Sequence, residues 1–139
     1  MTLTDTGPLV SLIDEIDDGH RECLLLLPNL SAPVVTTWPC FTEAMYLLGD
    51  STGYRGQEEL WRYLADGLLL LHTLTQSDTD RMRILMQKYA DTPMDLADSS
   101  LVAAAETLSL RRVFTLDNHF YACRTADKQA LDVIPAHFR

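Results

Sequence analysis

Along this chain, apolar positions alternate between two spacings, one suited to short buried strands and one suited to amphipathic helices. Leu3–Val10 opens as a short strand that ends near Gly7 and Pro8, and Leu9–Asp17 and Glu22–Leu27 follow as helices, with Pro28 stopping the second. Val34–Thr37 is β-branched throughout and predicts a buried strand. Pro39 then suits the first residue of a helix running to about Leu48, with Gly49 as its cap. Asp50–Gly56 carries two glycines and reads as an exposed loop.

The second half repeats the alternation. Gln57–Asp66 predicts a helix closed by Gly67, and Leu68–Leu74 a strand. Ser77 or Thr79 suits the cap of the next helix, whose apolar stripe is Met82, Leu85, Met86 and Tyr89. Leu96–Leu108 is an alanine-rich helix, Arg112–Leu116 a strand, and Leu131–Ile134 a final edge strand. Strands alternating with helices predict an α/β fold, a three-layer α/β/α sandwich around a parallel sheet. With 139 residues, the chain is expected to form one domain, 1–139. In such folds ligands bind beyond the carboxyl ends of the strands, which says where to look for chemistry.

Composition narrows the possibilities. The net charge is −9, opposite to what a broad basic face for gripping nucleic acid would give. It suits carboxylates gathered around a cation, or a basic protein partner. The longest apolar runs, Leu24–Leu27 and Leu68–Leu71, are too short to span a bilayer, and no signal peptide is visible, so a cytoplasmic protein without membrane contact is expected. Cys23, Cys40 and Cys123 are far apart and form no CxxC pair, which argues for reduced packing thiols and against zinc.

Four carboxylates stand where a purely structural protein rarely puts them. Asp5 and Asp117 each follow a predicted strand and so lie at the carboxyl edge of one sheet. Glu43 lies on a helix with no clearly solvated face, which predicts partial burial. Asp98 shares the apolar stripe of Leu101, Val102 and Ala105. Singly, each has an ordinary reading, as a turn residue or as an acid answering a helix dipole. Together they favour a cation site, because buried carboxylates repel one another unless a metal neutralises them. An all-oxygen donor set favours Mg²⁺ or Mn²⁺. Asp95, three residues before Asp98, reads first as a helix cap and second as a metal ligand or a residue that supports one.

Four segments carry a family likeness. Leu3 to Leu9 (LTDTGPL), Pro39 to Gly49 (PCFTEAMYLLG), Pro93 to Ala103 (PMDLADSSLVA) and Val113 to Phe120 (VFTLDNHF) resemble the PIN domain, and within it the VapC-like toxins of bacterial type II toxin–antitoxin systems. The likeness covers nearly the whole chain, in order and spacing. It implies a Mg²⁺- or Mn²⁺-dependent endoribonuclease, with an RNA substrate, a cognate antitoxin and a homodimeric state. It matches Asp5, Glu43, Asp98 and Asp117 to the family's acidic quartet, and Thr6 and Thr115 to hydroxyl residues beside the first and last acids. Ser99 departs from the alanine usual after the third acid. The plain strand reading of Thr115 is the favoured one.

Arg111, Arg112 and Arg124 flank the Asp117 segment and are candidates for RNA contact, as is His119. Each also reads as an ordinary surface residue. The alternative to catalysis is a silent interaction module that binds a basic partner. A phosphate-receiver domain is excluded, since it needs paired acids after the first strand and an acceptor Asp after a middle one, whereas Asp5 stands alone and Val34–Thr37 leads into Trp38.

Overall fold

The computed structural model describes residues 1–92, 94–117, 120, 125–126 and 129–134. Five strands, β1 (Thr2–Thr4), β2 (Val34–Thr37), β3 (Leu69–His72), β4 (Arg112–Phe114) and β5 (Asp132–Ile134), form one sheet in the order β3-β2-β1-β4-β5. Every neighbouring pair is parallel. Among the described residues six α-helices accompany them, α1 (Thr6–Ile13), α2 (His20–Leu26), α3 (Trp38–Thr52), α4 (Tyr54–Ala65), α5 (Gln76–Lys88) and α6 (Leu96–Leu108), with a 3-10 turn at Leu27–Asn29. This is the three-layer α/β/α sandwich that the alternating pattern predicts.

Strand alternation divides the core between two faces. Leu3, Val35, Val113 and Val133 point to the layer of α5 and α6, where they meet Leu85, Leu101, Val102 and Ala105. Val34 and Leu69 point the other way, against Leu9 and Ile13 of α1, Phe41, Ala44 and Leu48 of α3, and Leu60 of α4. Phe114 on that same side packs with Leu12 and Cys23, which ties α2 to the sheet. The small residues Ala97, Ser99, Ser100, Ala103 and Ala104 are buried along α6, which lets that helix lie close to its neighbours.

Several element boundaries differ from the expectation. The first strand ends at Thr4 and Asp5 caps a helix, so Gly7 and Pro8 lie in the first turn of α1, where a missing proline N–H costs nothing. The expected loop at 50–56 is mostly helical. Helix α3 runs on to Thr52, Gly53 turns the chain at φ 70°, and α4 starts at Tyr54. The glycines flanking that turn serve packing. A Cβ on Gly49 would meet Gln57 Nε2 at 2.4 Å, and one on Gly56 would meet Thr52 Oγ1 at 2.0 Å and Thr52 Cβ at 3.0 Å. We expect Gly56→Ala to lower stability by about 1–3 kcal/mol, the usual cost of forcing extra volume into a filled contact, as read by thermal unfolding. Thr75 caps α5 in place of Ser77 or Thr79, because its hydroxyl and Asp78 complete a reciprocal capping box.

Candidate functional site

Four separate stretches of chain meet at the carboxyl edge of the central strands. Asp5 leaves β1 beside β4, since its backbone N–H donates to Phe114 O at 2.9 Å. Being the N-cap of α1, it accepts from Thr6 N through Oδ1 at 2.8 Å. Its other oxygen, Oδ2, accepts from Thr115 Oγ1 at 2.9 Å. Thr115 Oγ1 in turn accepts from Asp117 N at 2.9 Å. Thr115 is therefore the link between the first and last acids, a correction to its reading as a plain strand residue. Its place immediately after β4, beside Asp5, is what lets one hydroxyl reach both.

Glu43 comes from the second turn of α3, and its Oε2 accepts from Thr6 Oγ1 at 3.4 Å. The expectation of partial burial fails, because Glu43 is exposed, as are Tyr46 and Leu47, which share its side of the helix. The buried stripe of α3 is Cys40, Phe41, Ala44 and Leu48. Asp98 is the third residue of α6. Its N–H donates to Asp95 Oδ1 at 2.8 Å and its Oδ2 accepts from Asp95 N at 3.2 Å. The cap reading of Asp95 holds, and the same residue also lines the groove.

The result is an open groove of about 520 Å³ lined by Asp5, Thr6, Glu43, Asp95, Asp98 and Asp117. Its electrostatics are set by burial and by the acids' repulsion of one another. Asp5 is only 7% exposed and its carboxyl is pushed up to about 6, first by burial and then by Asp117 and Glu43, against the pull of its bonds from Thr6 and Thr115. Asp98, 9% exposed, is pushed up to about 7 by burial and by the charges of Asp95 and Asp5. Glu43 is raised by desolvation and by Asp95. Beneath them Cys40, its Sγ 3.9 Å from Asp5 Oδ1, is held as a neutral thiol by burial and by that carboxylate, which push it up to about 12.

The donor set fits a hard divalent cation, since it is wholly oxygen and its most buried member, Asp5, is fixed by two hydrogen bonds. Among the described residues, no three His, Cys, Asp or Glu side chains are already drawn together closely enough to hold an ion. The capping box with Asp95 occupies one oxygen of Asp98.

Other candidates fall elsewhere. Arg111 and Arg112 precede and open β4, at the edge of the sheet opposite the groove. Arg112 donates to Ser31 Oγ at 2.6 Å and lies 3.7 Å from Asp132, while Arg111 donates to Gln129 Oε1 at 2.8 Å. Closeness to Asp117 in sequence misleads here, because β4 carries the chain from one edge to the other. His119, Arg124 and Cys123 lie outside the described residues. Sequence reasoning missed Ser11 and Asp17, which also line the groove. The only sequence signal for them is the polar stretch Asp17-Asp18-Gly19, which begins on the last residue of the predicted helix Leu9–Asp17.

No described helix is long and apolar enough to cross a membrane. No protein-family model matches the chain. Across 134 residues, 96% of this chain and 99% of the other, it is 25% identical to Ribonuclease VapC26 of Mycobacterium tuberculosis (strain ATCC 25618 / H37Rv). Its fold is similar to that of the sarcin–ricin loop cleaving toxin VapC20 of M. tuberculosis, with TM-score 0.80 and 13% identity over 86% of this chain and 92% of that one. It is also similar to a chain of a toxin–antitoxin complex from Klebsiella pneumoniae, with TM-score 0.67 and 20% identity over 88% and 91%. Taken with the parallel five-stranded sheet and the convergent acids, these likenesses give the chain the fold of VapC20 and a similarity to a VapC ribonuclease along almost its whole length.

Proposed function

We propose that this protein is an endoribonuclease dependent on Mg²⁺ or Mn²⁺, and that it is the toxin of a toxin–antitoxin pair. The observation that carries the reading is the convergence of Asp5, Glu43, Asp98 and Asp117, from four stretches of chain, on one open groove. Similarity to a VapC ribonuclease along almost the entire chain supports it, and a fold shared with a protein described as cleaving the sarcin–ricin loop is consistent with it.

In this reading the four carboxylates hold the cation. When bound, the ion supplies an activated water and neutralises charge building up on the phosphate. The chain's own contribution is placement. Thr6 N and Thr115 Oγ1 fix the two oxygens of Asp5, so that carboxylate keeps its orientation without metal. The Thr115 hydroxyl also holds the Asp117 backbone, which keeps the last acid next to the first. Thr6 Oγ1 steers Glu43, and the capping box fixes where α6 begins, and hence where Asp98 enters the groove. Because the groove itself is acidic, RNA phosphates approach it only when cations are present. The decisive assay incubates RNA with the protein and Mg²⁺ or Mn²⁺. Cleavage is expected in the parent and absent in Asp5→Asn and Asp98→Asn, and a parent inactive with both metals sinks the reading.

A homodimer fits the exposed aromatic face of α3 and α4. Trp38 and Trp61 are 52% and 47% exposed, yet they are ordered by Phe41, which stacks on the first at 5.4 Å and meets the second edge-on at 5.1 Å. Exchanging Trp61 for Glu should give a monomer by light scattering at concentrations where the parent is a dimer; an unchanged mass removes this face from the interface.

A further inference from the structure

The groove that holds the four acids is also walled by Val10, Ser11, Asp17 and Leu116. The loop carrying Asp17 is held down by its own carboxylate. Asp17 Oδ2 accepts from Ser11 Oγ at 2.5 Å and from Gly19 N at 2.9 Å. Ser11 is 2% exposed, and its backbone carbonyl lies 2.7 Å from His20 Nδ1. Backbone bonds from Asp17 N to Asp14 O and from His20 N to Asp17 O close the turn. Gly19 lies flat on this wall, since a Cβ there would come within 2.9 Å of both Leu116 Cδ1 and Ser11 Oγ. Two donors thus fill Oδ2 and fix the plane of the carboxylate. The other oxygen, Oδ1, has no hydrogen-bond partner among the described residues.

A fixed acceptor beside apolar Leu116 and Val10, in the same groove as the proposed phosphate chemistry, suits a nucleobase. The apolar wall takes the ring and the free oxygen reads its edge. The edges differ in what they show a carboxylate. Guanine presents N1–H and N2–H side by side. Uracil flanks its one N–H with two carbonyls, and the amino groups of adenine and cytosine sit beside a ring-nitrogen lone pair, all of which repel a carboxylate. We propose that Ser11, Asp17 and Leu116 form a nucleobase subsite that selects guanine next to the cleaved bond, an inference that rests on the nuclease reading above.

The local bonding gives a specific test. In Asp17→Asn the amide oxygen must stay with Gly19 N–H and the Ser11 hydroxyl, because the glycine N–H can only donate. The NH₂ group is then forced into the groove, and an acceptor becomes a donor without loss of the loop's own bonds. Parent and Asp17→Asn proteins are incubated with a randomised single-stranded RNA pool and Mn²⁺, and the new ends are sequenced. The parent is expected to enrich guanine about tenfold at one position beside the cut, the discrimination typical of one good base-edge contact. Asp17→Asn is expected to lose that enrichment and gain uracil there while cutting the pool overall and melting near the parent temperature. A parent that cuts without base bias, or a variant with the parent's profile, overturns the subsite and leaves the nuclease reading intact. A parent that never cuts overturns the nuclease reading instead. The subsite then stands or falls on an NMR titration in which GMP, but not UMP, must shift the amide signals of Ser11 and Gly19 in the parent and not in Asp17→Asn.

Discussion

Asp5→Asn is expected to abolish RNA cleavage and, without metal, to melt above the parent. Both effects have one cause. Asp5 sits at the centre of the groove, and its carboxylate is buried with Asp117, Glu43 and Asp98 as charged neighbours. Asparagine keeps the shape and keeps an oxygen for Thr6 N, so the cap of α1 survives. The Thr115 hydroxyl turns from donating to accepting, and it retains Asp117 O as an acceptor at 3.5 Å. Only the negative charge is lost. A cation site contributes several kcal/mol to phosphoryl chemistry, and each increment of about 1.36 kcal/mol is tenfold in rate, so the loss of activity is on the order of a thousandfold. The metal-free protein is relieved of a carboxylate that burial had pushed from 3.8 to about 6. At neutral pH that displacement corresponds to about 3 kcal/mol, an upper figure for the gain, or several degrees in Tm for a chain of this size. A variant that is inactive because it is less stable would count against this account.

The metal-free protein is also expected to lose stability as the pH rises from 4 to 7, the reverse of the ordinary acid-denaturation slope. Asp5 and Asp98 both ionise at higher pH in the folded protein than in the unfolded chain, at about 6 and about 7 against 3.8. Between those limits the folded state binds more protons than the unfolded state, so stability falls with rising pH. The contribution is complete below about 3.8 and is lost on passing through 6 and 7. Asp5 alone accounts for about 3 kcal/mol, and Asp98 adds in the same direction. Asp78 sets the acid limit. Burial raises its carboxyl, but hydrogen bonds from Thr107, Thr75 and His72 outweigh it and leave it below 3.8, so its stabilisation is lost only under more acidic conditions. Thermal melts in EDTA across pH 4 to 8 read this directly, and a Tm that climbs steadily up to pH 7 contradicts it.

How much of this was legible in the sequence depended on how local each feature was. The strands were legible because Val34–Thr37 is β-branched throughout and Leu69–Leu71 is a short apolar run. Asp5 and Asp98 could be placed because each neighbours a patterned element, the end of a strand or the apolar stripe of a helix. Features set by contact between distant segments were hidden. Gly49 and Gly56 read as loop punctuation, whereas they let α3 and α4 pack closely. Glu43 read as partly buried because Tyr46 and Leu47 look like core, yet the fold leaves all three exposed. Arg112 read as near Asp117, because spacing along a chain does not reveal that a strand separates them. Asp17 enters the groove only because its loop folds back onto Ser11, a placement that no periodicity records.

The central claim is that Asp5, Glu43, Asp98 and Asp117 together hold a divalent cation, and calorimetric titration of the metal-free protein with Mn²⁺ at pH 6.5 (between the about 6 of Asp5 and the about 7 of Asp98) in two buffers of different ionisation enthalpy tests it most directly. The account predicts saturable binding accompanied by proton release, since Asp98 and part of the Asp5 population still carry protons at that pH, with affinity lost in Asp5→Asn and Asp98→Asn. Mn²⁺ binding that releases no protons and is unchanged in both variants, or no binding at all, would contradict it.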